Sequence, residues 1–243
     1  MTANRFPPLS PSASLRLPLI NRWLRTLAPS SVIEAGCGMG AMACRLASRY
    51  DYQGYEPDPV SFGVAETRLK ELGRGRVTKG VVPDTPDRRF DMVVAFEVLE
   101  HLKDDHETLT LWSRWVNPGG HIMVSVPADP ERFDACDRLV GHVRRYTRDS
   151  LGDVFEEVGH RIIAIDAWGM PAGYLLEWVR NVRARRVMDT LAVGTPGSGR
   201  LNQPQGFGGK LVGLAARPLS ALQAPFRGTD LGVGYVAVAS IDN

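Results

Sequence analysis

An alternating α/β fold with an open, mostly parallel sheet and helices on both faces is the class this 243-residue sequence predicts, and three observations carry it. Short apolar runs near residues 31–36, 51–56, 76–80, 90–96 and 121–126 read as strands, with helical segments between them. Parallel strands need crossovers of that length, and chirality makes them right-handed. The run Val32-Ile33-Glu34-Ala35-Gly36-Cys37-Gly38-Met39-Gly40 reads as a buried strand that ends in an acid and enters a Gly-x-Gly-x-Gly turn. A sixth strand over 161–167 and an alternating segment over 232–239 bring the expected number of strands to seven.

Residues 6–11 form a proline-rich leader without the apolar core of a signal peptide. Leu15, Leu19, Trp23 and Leu27 then mark an amphipathic helix over 14–27, ended by Pro29. After the glycine turn, Met42, Leu46 and Tyr50 follow at helical spacing. Glycines there permit positive φ and a close backbone approach to a bound molecule. A dinucleotide site would show Gly-x-Gly-x-x-Gly and no acid before the first glycine, because a carboxylate repels a pyrophosphate. Glu34, two residues before Gly36, instead suits a cofactor with a cationic amino-acid end, such as S-adenosylmethionine. The next strand ends at Glu56, placed to accept hydrogen bonds from ribose hydroxyls. Pro57-Asp58-Pro59 opens a helix over 60–72, with Asp58 as its N-cap rather than a ligand.

Glu34-x-Gly36-x-Gly38-x-Gly40 together with Gly54-Tyr55-Glu56-Pro57-Asp58-Pro59 resembles the class I S-adenosylmethionine-dependent methyltransferases. The segments over 90–102 (Phe90 to Leu102) and 116–127 (Val116 to Pro127) are similar to the fourth and fifth strands of that superfamily and their turns. The likeness covers about residues 30–165. It implies a Rossmann-like seven-stranded sheet with an antiparallel last strand, and S-adenosylmethionine as cofactor. It further implies cofactor contacts from Glu34, Gly36, Cys37, Gly38, Gly40, Glu56, Pro57, Val81 and Phe96, the last two around the adenine and the sulfur end.

A single domain spanning 1–243 is expected: leader and helix over 1–30, cofactor core over 31–167, a helical insertion over 168–230 and the last strand over 231–243. The insertion reads as a helix near 172–190, a Gly/Pro/Ser loop over 194–199 and a second helix near 209–223, either a substrate-selecting lid or an ordinary capping pair. Residues 175, 178, 179 and 182 form an apolar stripe beside Arg180, Arg183, Arg185 and Arg186. That stripe suits packing on the core or peripheral contact with a membrane surface. The net charge of +2 divides into +6 over 170–227 and −4 elsewhere. No recognisable nucleic-acid-binding module accompanies the basic stretch, which excludes DNA and disfavours RNA. Cys37, Cys44 and Cys136 lack zinc spacing and fit a reduced, cytoplasmic setting. Nothing in the sequence indicates an oligomeric state.

Glu97, Glu100 and His101 would share one face if the chain turns helical after the fourth strand. Three uses stand open: His101 as a general base, a divalent-metal site made of Glu97, Glu100, His101 and His142, or bracing of the loop under the cofactor. The metal pattern resembles that of small-RNA 2′-O-methyltransferases and coenzyme Q O-methyltransferases. Gly141-His142-Val143-Arg144-Arg145-Tyr146-Thr147 is similar to a segment of bacterial methyltransferases of the methyltransferase-11 and -23 groups. His142 and Tyr146 are candidates to bind a substrate hydroxyl, Arg145 to hold a carboxylate or phosphate, and Thr147 to cap the next helix. The sequence thus predicts methylation, first at oxygen, of a small-molecule or lipid-like acceptor, with catalytic His101, His142, Glu97 and Tyr146. The rival readings are a catalytically silent cofactor-binding partner subunit, an RNA 2′-O-methyltransferase and a nicotinamide dehydrogenase.

Overall fold

The computed structural model describes residues 6–190 and 222–241. Seven strands form one sheet in the order β3-β2-β1-β4-β5-β7-β6. Their spans are β1 Ser31–Ala35, β2 Asp51–Glu56, β3 Arg76–Lys79, β4 Phe90–Phe96, β5 Val116–Pro127, β6 Arg161–Trp168 and β7 Gly234–Ser240. The first five run parallel, and β7 pairs antiparallel with both β5 and β6. The expected Rossmann-like sheet is therefore present. Because the chain moves outward from β1 to β3 and then returns to β4, a crevice opens at the carboxyl ends of β1 and β4, where ligands bind in such sheets.

Period-two alternation sends successive strand residues to opposite faces. On β4, Val93 and Ala95 join one core with Leu109 and Trp112 of α4 (Asp105–Ser113) and Leu151 and Phe155 of α6 (Arg148–Glu157). Met92 and Val94 face the other core, with Leu15 and Leu19 of α1 (Pro11–Leu27), Leu46 of α2 (Ala43–Ala47) and Leu69 of α3 (Pro59–Leu72). Two further helices, α5 (Ala135–Val140) and α7 (Ala172–Thr190), pack on each other beside the sheet.

Capping residues set the helix starts. Asp58 accepts the Ser61 N–H at 2.8 Å, as predicted, and Thr147 accepts that of Ser150 at 3.0 Å. Helix α1 begins earlier than the apolar periodicity suggests, because Ser10 caps it and Pro11 occupies its first position. The helix after the glycine turn is short and stops before Tyr50, while β5 starts five residues before the expected 121. The predicted loop over 194–199 and residues 209–221 of the predicted second helix lie outside the described residues. Residues 222–226 form a turn and one 3-10 turn. Among the described residues, no helix is long and apolar enough to cross a membrane.

Candidate functional site

A cavity of about 680 Å³ lies over the carboxyl ends of β1, β2 and β4. One end is built mainly from backbone. Gly38 has φ +55°, and a Cβ built there would meet nothing within 4 Å, so its main chain faces open cavity. Gly40 has a different role: its Cβ would lie 3.0 Å from the Ala65 Cα on α3, and it does not line the cavity. This glycine lets the loop close onto α3.

The Glu56 carboxylate accepts the N–H groups of Gly38 at 2.7 Å and Asp58 at 2.9 Å. It thereby anchors the glycine loop, and each oxygen keeps a further lone pair for a ligand. Burial raises its pKa, while those two backbone donors oppose the rise. Beneath the loop, Glu34 is almost fully buried and accepts the Tyr52 hydroxyl at 2.5 Å. Desolvation pushes Glu34 up to about 8, so the group is protonated at neutral pH until a cation comes to face it. Gly36, Cys37, Pro57, Val81 and Phe96 line the cavity where the sequence places them. The Cys37 thiol is pushed well up by burial and fills space rather than offering a thiolate.

After β4 the chain does not turn into an α-helix. Glu97 adopts a left-handed φ of +59°, and a 3-10 turn covers Leu99–His101. Glu97, Glu100 and His101 consequently do not share one face. Glu97 pairs with Arg16 of α1 at 3.2 Å and accepts the Ser125 hydroxyl at 2.9 Å. The metal-competent cluster among the described residues that contains Glu100 is Glu100, His101 and His142, with one ligand atom each inside 4.8 Å; Glu97 is not part of it.

Within that cluster Glu100 is fully buried, and neither of its oxygens has a hydrogen-bond partner among the described residues. Burial, reinforced by the Glu97 charge, holds it well above the usual carboxylate range. Both histidines are oriented from behind. The carbonyl of Gly141 lies 3.1 Å from His101 Nδ1, and a carboxylate oxygen of Asp137 lies 2.7 Å from His142 Nδ1. Acceptors at Nδ1 place the proton there and leave each Nε2 with a free lone pair. His142 Nε2 lies 3.6 Å from Glu100 Oε1. Burial and the neighbouring His142 lower the His101 pKa, which favours its neutral form.

Two predicted substrate groups are otherwise engaged. Tyr146 is buried and donates to Asp105 at 2.9 Å, away from the cavity lining. Arg145 is buried in a fork on Asp137, with bonds of 3.0 and 2.6 Å, and reaches Glu177 of α7 at 2.6 Å. Glu177 also pairs with Arg132. Asp137, which sequence reasoning missed, therefore links α7 to His142; its one sequence signal is the Asp134-x-x-Asp137 spacing of a capping box. Also missed were Leu9, Ser12 and Arg16 of the α1 region and Arg180 of α7, all on the cavity wall. The Ser10-Pro11 cap was the signal that the supposed leader begins a helix.

A family whose description reads "Methyltransferase domain" matches residues 12–165. Ubiquinone biosynthesis O-methyltransferase of Alkalilimnicola ehrlichii is 29% identical over 123 residues, 49% of this chain and 50% of that one. The Azorhizobium caulinodans protein of the same name is 35% identical over 108 residues, 43% of each. The chain thus spans about half the length of these curated relatives. An S-adenosylmethionine-dependent methyltransferase of Mesorhizobium loti superposes with a TM-score of 0.59 at 14% identity, covering 90% of this chain and 96% of that one.

Proposed function

The chain belongs to the S-adenosylmethionine-dependent methyltransferase family, and from that premise we propose that it methylates a hydroxyl group of a small-molecule acceptor, with a divalent cation held by Glu100, His101 and His142. The observation that carries this reading is the buried Glu100 carboxyl, unsatisfied at both oxygens and facing imidazoles whose Nε2 lone pairs are free. A buried carboxylate without partners is costly, and a cation among these three groups removes the cost. The mixed carboxylate–imidazole set suits manganese, zinc or magnesium. Such a cation would lower the pKa of an acceptor hydroxyl, and S-adenosylmethionine, when bound, would supply a methyl group on an electrophilic sulfonium.

The chain's own residues then bind and align. The open backbone at Gly38 and the Glu56 carboxylate suit the nucleoside part of the cofactor, with Val81 and Phe96 beside it. Glu34 suits its ammonium. His101 and His142 sit on the wall of the same cavity, so an acceptor oxygen held there shares a space with the methyl donor. The similarity to ubiquinone O-methyltransferases supports oxygen as the acceptor atom.

The test is turnover of labelled S-adenosylmethionine with a panel of hydroxylated acceptors, before and after EDTA. Loss in EDTA with recovery on one divalent cation is expected. Full activity in EDTA combined with inactivity of His101→Ala would replace the metal with a histidine base.

A further inference from the structure

Three arginines in and around the cavity are matched by carboxylates. Arg16 has Glu97, Arg145 has Asp137 and Glu177, and Arg132 has Glu177. Arg180 of α7 lines the cavity without such a partner among the described residues. Its Nη1 donates to Ser12 Oγ at 3.4 Å and its Nη2 to Cys136 Sγ at 3.5 Å, both long contacts to neutral groups. Its Nε is buried and has no partner. The nearest acid along α7, Glu177, is already shared by Arg145 and Arg132. A half-buried guanidinium so placed has given up part of its water without gaining a carboxylate counter-ion among the described residues, which favours the arrival of an anion.

The surroundings have the same sign. Ser10, Ser12 and Ala13, from the start of the 17-residue α1, stand on the same wall, and the first turn of that helix carries no acid. The dipole of that helix adds positive potential at that end. Leu9, Met42, Leu102 and Val140 make the neighbouring wall apolar. Four acids of the cavity (Glu34, Glu56, Asp58 and Asp84) belong to the strand ends and loops on the glycine-turn side, and the fifth, Glu97, is neutralised by Arg16.

We propose that Arg180 anchors an oxyanion, a carboxylate or a phosphate, carried on the apolar body of the methyl acceptor. Arg180 is then a specificity-determining residue: its planar fork suits bidentate binding of either group. This inference rests on the cavity holding both cofactor and acceptor, but it requires no metal.

Binding can be measured by calorimetry in EDTA on the full chain saturated with S-adenosylhomocysteine, using benzoate, phenyl phosphate and the neutral benzamide as probes. At least one anion should bind about tenfold or more tightly than benzamide, as charge-assisted hydrogen bonds imply. Which anion binds better identifies the oxyanion as carboxylate or phosphate. Arg180→Gln should abolish the preference, Arg180→Lys should retain part of it, and S-adenosylhomocysteine affinity should stay within about twofold in both. Equal binding of all three probes to the wild type, no binding of either anion, or a preference that survives Arg180→Gln would overturn the proposal. A wild-type chain that fails to bind S-adenosylhomocysteine would instead refute the underlying cofactor reading.

Discussion

At the glycine-turn end of the cavity, contacts come from main chain and from carboxylates fixed by main-chain donors: Gly38, and Glu56 held by two N–H groups. At the opposite end they come from side chains on α1, on α7 and in the loop after α5: Arg16, Arg180 and His142. Two of them are held by side chains far away in sequence, Arg16 by Glu97 and Arg180 by Ser12, and the Asp137 that orients His142 is tied through Arg145 to Glu177 of α7. The first end depends on local backbone geometry and accepts one kind of ligand. The second depends on packing between helices, where a substitution can change ligand choice without disturbing the sheet. On the proposed function, the same chain separates a general cofactor end from an acceptor end that can vary.

This contrast is most open to attack at Gly38. Gly38→Val puts a branched side chain into the open space and at φ +55°. It should weaken S-adenosylhomocysteine binding by about a hundredfold or more, roughly 2.7 kcal/mol, while the circular dichroism spectrum stays that of the wild type. Calorimetry that returns wild-type affinity would remove the turn from cofactor binding.

At the other end, Glu100→Gln should reduce turnover by about a hundredfold and leave S-adenosylhomocysteine affinity unchanged. The same variant should melt higher in EDTA, since it replaces a buried, unsatisfied carboxyl with a group that does not ionise. Wild-type turnover in Glu100→Gln would return the acid–histidine cluster to a bracing role.

Glu34 ties cofactor binding to pH. Because its carboxyl titrates at about 8, facing the cofactor's ammonium requires loss of a proton at neutral pH. S-adenosylhomocysteine affinity should therefore rise with pH, by up to about tenfold per unit below pH 8, and level off above it. The folded-state pKa is raised from 4.5, so the free protein loses stability from this group as pH climbs from 4.5 to about 8, and the loss levels off above that. That loss is at most about 4–5 kcal/mol, and Glu34→Gln should flatten both profiles. A pH-independent affinity in the wild type would disconnect Glu34 from the ammonium.

A smaller effect is expected on the outer face of α7, where Leu175 and Trp178 are each 64% exposed beside Arg183 and Arg186. The stripe suits either core packing or a lipid interface by sequence, and the exposure of Leu175 and Trp178 argues against core packing for these two. Co-sedimentation with anionic vesicles should fall by about tenfold or less when both residues become serine, given about 1 kcal/mol for each remaining basic residue. If the wild type does not sediment at low salt, the face has another use.

What was legible in advance was whatever is encoded over a few consecutive residues. Strand alternation specified the two faces of β4, the glycine spacing specified the turn, and Asp58 and Thr147 announced their helices, because hydrogen-bond and steric rules act within four or five positions. Glu56 was legible because β2 pairs with β1 in register and ends beside it. His101 and His142 were named as partners by pattern, yet only folding shows that Glu97 turns away to Arg16 while Glu100 turns inward. That outcome depends on a left-handed residue whose alternative, one more helical turn, is locally cheaper. Tyr146 and Arg145 look like ligands in isolation; Asp105 and Asp137, 41 and eight residues away, claim them. The reverse holds for Arg180, which the sequence presents as one of several basic residues on a helix. Its lack of a carboxylate partner among the described residues is a property of three helices meeting, since whether a charge is paired depends on every side chain that reaches it and not on its own neighbours in sequence.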